Sequence, residues 1–172
     1  MSLSILTRYG LSQAPPGGGG GAVLTGILSS TTYDASVSLS HQVGWAFDVG
    51  ATDLEVVALR VYVGAANPET IRLWRTSDQA LIASAGVTTV TDTWVEAAIT
   101  PVTLAAGARY AVTTRRPSGS DPRLTRYRGS PNDTFVAADY LSYATGVAVD
   151  ADSYPTGANS RLYFADIAFV EP

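Results

Sequence analysis

Between Leu54 and Thr100 apolar residues alternate with polar or small ones in four successive runs, LEVVALRVYVG, TIRLWRT, QALIASAGV and TWVEAAIT. A period of two sends neighbouring side chains to opposite faces of an extended chain, the pattern of a half-buried strand. Gly64, Asn67, Pro68, Asp78 and Asp92 punctuate the runs, which are therefore predicted to be consecutive antiparallel strands. The pattern continues on both sides. In VGWAFDV, Val43, Trp45, Phe47 and Val49 share one face and Gly44, Ala46 and Asp48 the other, which predicts a core strand. After Pro101-Val102-Thr103-Leu104, the ARYAVTTR run alternates Tyr110 and Val112 with Ala111 and Thr113.

Residues 139–149 predict a returning strand, and RLYFADIAFV one near the middle of a sheet flanked by N-terminal strands. From Ala22 to Gln42 the chain is rich in Ser and Thr with modest alternation at Val37 and Leu39, which suits one or two edge strands. The excursion from Pro117 to Pro131 is too rich in Pro and Gly for a central strand. Helical periodicity of useful length is absent. Strands at intervals of roughly eight to twelve residues predict an all-β fold, a two-sheet antiparallel β-sandwich, jelly-roll-like, with an N-terminal arm.

The arm is residues 1–21 and the sandwich residues 22–172. Ala14-Pro15-Pro16 is a stiff step, and Gly17 to Gly21 follow as a flexible linker. Leu3, Ile5, Leu6, Tyr9 and Leu11 are candidates for docking on a partner; a loose terminus is the competing reading. Arg8 interrupts the apolar residues early, so neither a signal peptide nor a membrane span is expected.

Composition narrows the chemistry. The 172 residues are 46% hydrophobic and 15% charged, with 16 Gly and 9 Pro, the balance of a turn-rich β protein and not of a disordered one. With no cysteine, disulfides and Cys-ligated zinc are excluded. All eleven basic residues are arginine, which excludes Schiff-base and P-loop lysines. A net charge of -4 argues against a sequence-independent grip on nucleic acid, and none is expected as a partner.

The ordered succession VGWAF, LRVYVG, IRLWR, ALIASA, TWVEAAI and PVTLAAGARYAVT, from Val43 to Thr114, resembles a bacterial accessory β-sandwich domain of unassigned function. That domain recurs in large secreted proteins, many of them sugar-processing. The resemblance implies the sandwich but no reaction. A short arm, a glycine linker and one sandwich together resemble a bacteriophage virion component, such as a capsid decoration, head fibre or minor tail protein. That analogy implies synthesis in the host cytoplasm, location in the virion, and a major capsid or tail protein as partner.

Candidate reactive groups are few. His41, the single histidine, lies in a Ser-rich stretch without a Gly-x-Ser-x-Gly elbow, so a nucleophilic triad is not expected and the protein is read as non-enzymatic. No cofactor is expected. Asp150 and Asp152, with Asp133 and Asp139 upstream, are weak calcium candidates that turn capping explains equally well. Arg109, Arg115, Arg116, Arg123, Arg126 and Arg128 face a single acid, Asp121, within their stretch; five aspartates then follow between Asp133 and Asp166. Three explanations compete: pairing between loops of one sandwich, complementary subunit contacts in a homo-oligomer through Arg115, Arg116, Arg123, Arg126 and Arg128, or phosphate or RNA binding by the Arg109 to Arg128 segment with Tyr110 and Tyr127 stacking, which the net negative charge disfavours. Trp74, opposite Ile71 and Leu73 in phase, is expected at the surface or the sandwich rim. With Tyr62 it is the candidate platform for a surface glycan, which makes a carbohydrate-binding module the alternative function.

Overall fold

The computed structural model describes residues 22–27, 35–37, 42–64, 66–115, 125–128, 139–149, 151–160 and 162–172, with backbone only at 35–37 and 125–128. Its strands are β1 (Val23–Thr25), β2 (Ala35–Val37), β3 (Gln42–Val49), β4 (Leu54–Val63), β5 (Pro68–Arg75), β6 (Ala80–Thr88), β7 (Thr93–Leu104), β8 (Arg109–Arg115), β9 (Thr125–Arg128), β10 (Leu141–Val149), β11 (Gly157–Asn159), β12 (Leu162–Tyr163) and β13 (Ala165–Val170). They form two antiparallel sheets packed as a sandwich. The front sheet runs β1-β13-β4-β9-β12, with β7 on the other edge of β4 and β2 against β9; the back sheet runs β11-β10-β3-β8-β5-β6.

The inner faces carry the apolar phase of each strand. Trp45, Phe47, Leu59, Val61, Ile71, Leu73, Val112, Ile167 and Phe169 are all fully buried between the sheets. Each such side chain contributes about 1.5–3 kcal/mol by leaving water. Trp45 also ties the sheets together, because its indole N–H on β3 donates to the Ala165 carbonyl on β13 at 2.6 Å.

Strand β4 shows how the alternation is kept. In LEVVALRVYV the inward set would be 54, 56, 58, 60 and 62 if the period were strict, which would drive Arg60 into the core. A bulge between Val56 and Ala58 shifts the register against β13, so Leu59, Val61 and Val63 point inward after Leu54 and Val56. Arg60 and Tyr62 thereby pass to the outer face.

The hairpin between β5 and β6 is closed by Asp78, which accepts from the Ala80 amide at 3.2 Å and from Arg75 at 3.0 and 2.6 Å. Hydrogen bonding from Arg75 holds the Asp78 carboxyl down at about 2. Gln79 takes φ 59° in this turn, a left-handed conformation.

The predicted strands from Val43 to Thr114 form, β10 returns at the expected place, and β13 lies inside the front sheet between β1 and β4. The polar excursion from Pro117 to Pro131 differs from expectation: it contains β9, paired with β12 and β2 on opposite edges. The four residues involved, TRYR, hold no Pro or Gly, so the segment's composition did not apply to them.

Candidate functional site

The outer face of the back sheet is assembled from three adjacent strands. Cross-strand pairs Gln42 with Arg115, Gly44 with Thr113, Ala46 with Ala111 and Asp48 with Arg109 align β3 and β8. Arg72 opposite Thr113 and Trp74 opposite Ala111 add β5. Small side chains at Gly44, Ala46 and Ala111 leave a shallow floor, and the loop between β10 and β11 lies on it. Tyr154 from that loop meets the Trp74 ring edge-on at 6.0 Å between centroids.

Trp74 is only 6% exposed. Its side chain lies on the face opposite Ile71 and Leu73, as the alternation predicts, but it is not exposed: the loop covers it, and its indole N–H donates to the Thr113 hydroxyl at 3.0 Å. Tyr62 is 4% exposed, packed against Trp94 and edge-on to Phe164 at 5.8 Å. Neither ring presents a face to solvent, and the two lie on different sheets, so they form no common platform.

Charge on this face is paired within the chain. Arg109 forks onto Asp48 with contacts of 2.7 and 2.8 Å, and this hydrogen bonding holds the Asp48 carboxyl below its usual value. Arg72 and Arg115 both reach Oδ1 of Asp152, at 2.6 and 3.3 Å. Arg72 also donates to the Gln42 side-chain carbonyl at 2.7 Å, and the Gln42 amide donates to the Ser153 carbonyl at 2.7 Å. For Arg109 and Arg115, pairing within one sandwich is therefore what the described residues display. Asp152, a calcium candidate, is engaged by two guanidinium groups that repel a cation. Among the described residues no group of three His, Cys, Asp or Glu side chains is close enough to hold a metal ion.

A second polar cluster lies on the front sheet. Asp166, Arg60 and Glu96 occupy directly opposed positions on β13, β4 and β7. Asp166 is fully enclosed; it accepts from the Ile27 amide at 2.9 Å and lies 3.6 Å from Arg60 Nε. The Arg60 guanidinium stacks over Trp94, 3.9 Å from the ring centroid. Asp166 Oδ1, Arg60 Nε and Trp94 Nε1 make no hydrogen bond. Burial pushes the Asp166 carboxyl up to about 6, against the pull of Arg60 and the Ile27 amide. With no exposed surface, this carboxyl binds a proton but offers no oxygen to a solute.

Leu3, Ile5, Leu6, Tyr9, Leu11, His41, Arg116, Arg123 and Asp150 lie outside the described residues, as do the side chains of Arg126 and Arg128 on β9. Sequence reasoning missed Arg60, Arg72, Gln42 and Asp48. It also passed over Asp166, although a lone acid inside RLYFADIAFV was a legible signal, because a charge in an apolar run must find a partner. No helix among the described residues is long and apolar enough to cross a membrane.

Fold and faces together define an all-β sandwich module whose described surface charges are largely braced against one another. The chain belongs to the family described as Domain of unknown function (DUF4082), whose model matches residues 29–164. The match reaches beyond the Val43 to Thr114 resemblance on both sides and assigns no activity. Comparison with curated proteins yields no match.

Proposed function

We propose that the protein is a non-enzymatic structural module of a phage particle, carried on a capsid or tail protein by its N-terminal arm. The observation that carries this reading is how the sandwich begins. Immediately after the glycines, Ala22 accepts from the Glu171 amide at 2.8 Å, β1 pairs with β13, and Ile27 is fully buried. Ala22 and β1 thus form a sheet edge already anchored to the core, so a pull applied at Ala22 would be transmitted to the sandwich without passing through a loop. The homo-oligomer belongs to the same proposal.

Strand order supports a jelly-roll reading as well. In the front sheet β1-β13-β4-β7 stands opposite β3-β8-β5-β6 of the back sheet, with β10 and β11 added beyond β3. Jelly rolls serve both virus shells and lectins, so the fold is compatible with the proposal by analogy only. Burial of Tyr62 and Trp74 gives the carbohydrate alternative no support.

The test is co-expression of the full chain, and of a chain lacking residues 1–21, with the capsid and tail proteins of the phage proposed to encode it. The truncated chain is expected to fold with an unchanged melting temperature and to be missing from purified particles. Its normal incorporation would overturn the docking role of the arm.

A further inference from the structure

We propose that Arg72, Arg115 and Gln42 form a carboxylate-binding site on the back sheet, occupied in cis by Asp152 and available to a carboxylate-bearing ligand when the loop lifts. The proposal stands apart from the assembly reading and does not depend on it.

Host and guest differ in how they are built in. The side chains of Arg72 and Arg115 are 14% and 23% exposed, whereas that of Asp152 is 62% exposed. The two arginines arise from adjacent strands, β5 and β8, and stay with the sheet; the aspartate arrives on a loop. Arg72 donates to the side-chain carbonyl of Gln42, a fully buried residue of β3, at 2.7 Å, so one guanidinium contact is made within the sheet, although the Gln42 side-chain amide in turn bonds Ser153 of the loop. Orientation in advance is what a binding site needs and a surface ion pair lacks.

The guest also uses the site incompletely. Both guanidinium contacts fall on one oxygen, Oδ1, although two arginines supply donors enough for both oxygens of a carboxylate. Among the described residues two cations stand against one anion, a net positive charge that favours exchange for a free anion able to accept from both forks. Beneath the loop lie Gly44, Ala46, Ala111 and the Trp74 ring, whose cover is Tyr154. Lifting residues 151–156 would place an apolar ring surface beside the two cations. The ligand class that fits is a carboxylate on a flat apolar body.

A tethered guest competes at an effective concentration on the order of millimolar, so weak ligands are masked in the natural chain. Removing it should expose them. The experiment is titration of the full chain with benzoate, and with benzamide as its uncharged counterpart, followed by NMR at the arginine Nε–H and tryptophan indole N–H signals. In Asp152→Ala, benzoate is expected to bind about tenfold more tightly than in the natural chain. Arg72→Gln or Arg115→Gln in that background should abolish binding, and benzamide should not bind. Equal benzoate affinity with and without Asp152 would overturn the proposal, as would binding indifferent to the arginines or to the charge of the probe. Should Asp152→Ala fail to fold, Asp152→Asn keeps the loop's size while removing the charge, and the same comparisons apply to it.

Discussion

Asp166 and Arg60 stand directly opposite each other on β13 and β4, carboxylate and guanidinium 3.6 Å apart, with the aspartate wholly enclosed. The pair is too long for a hydrogen bond, so Arg60 compensates the buried charge only in part. It divides its attraction between Asp166 and the face of Trp94. The result is a carboxyl whose proton affinity is raised by burial to about 6.

Stability is therefore expected to fall as pH rises from about 4 to 6. The unfolded carboxyl ionises near 3.8 and the folded one at about 6, so within this window the folded state holds the extra proton and loses its advantage as the proton leaves. The size of the effect is on the order of 3 kcal/mol. Urea denaturation at intervals across the window should show the decline, and Asp166→Asn should flatten it. A natural-chain profile that is already flat would show that Asp166 titrates as an ordinary carboxylate.

Asp48 behaves in the opposite sense. Hydrogen bonding from Arg109 lowers its proton affinity, so its contribution is present above the unfolded value of 3.8 and is lost on acidification below it. Both partners are substantially exposed, at 52% for Arg109 and 37% for Asp48. Asp48→Asn is accordingly expected to cost less than about 1 kcal/mol, with the difference shrinking in high salt. Thermal melts at two salt concentrations measure it.

Gly44→Ala is expected to be among the most damaging single-methyl additions in the chain. A Cβ at this position would overlap the Val112 carbonyl oxygen and crowd the Thr113 backbone at 2.6 Å. Those atoms belong to the paired strand β8 and cannot rotate away as a side chain would. A loss of about 3 kcal/mol is expected from the forced backbone shift, read from the denaturation midpoint. Gly86→Ala is the control, because nothing lies within 4 Å of its added methyl.

Trp74→Ala should act on stability. The ring is packed with Ala46, Ala111 and Val147 beneath Tyr154, and its N–H is bonded to Thr113. Removing it is expected to cost about 3–5 kcal/mol. Calorimetry on the variant checks this; a melting temperature unchanged from the natural chain would mean that the loop does not pack on the ring as described.

Legibility along the chain follows the range of the forces concerned. Trp45 and Phe47 were readable as core from the phase of VGWAFDV alone, since alternation is a local property. Arg60 was not placed by the same rule, because the bulge at Val57 that turns it outward is fixed by the pairing of β4 with β13, about a hundred residues away in sequence. Trp74 shows the intermediate case: its face was readable, while its cover, Tyr154, comes from a distant loop.

By itself the sequence determined the all-β class, most strand positions, the central place of the C-terminal strand and the absence of cysteine and lysine chemistry. Each depends on the side-chain period of the strand or on residue type, which a chain carries before it folds. Only the tertiary structure decided which charges meet. Arg72, Arg115 and Asp152 converge because β5, β8 and the loop after β10 lie side by side on one face. Asp166 finds Arg60 because β13 inserts beside β4. Such partnerships are selected by sheet order and register, and those are set by burying the whole core at once and not by any stretch of the chain alone.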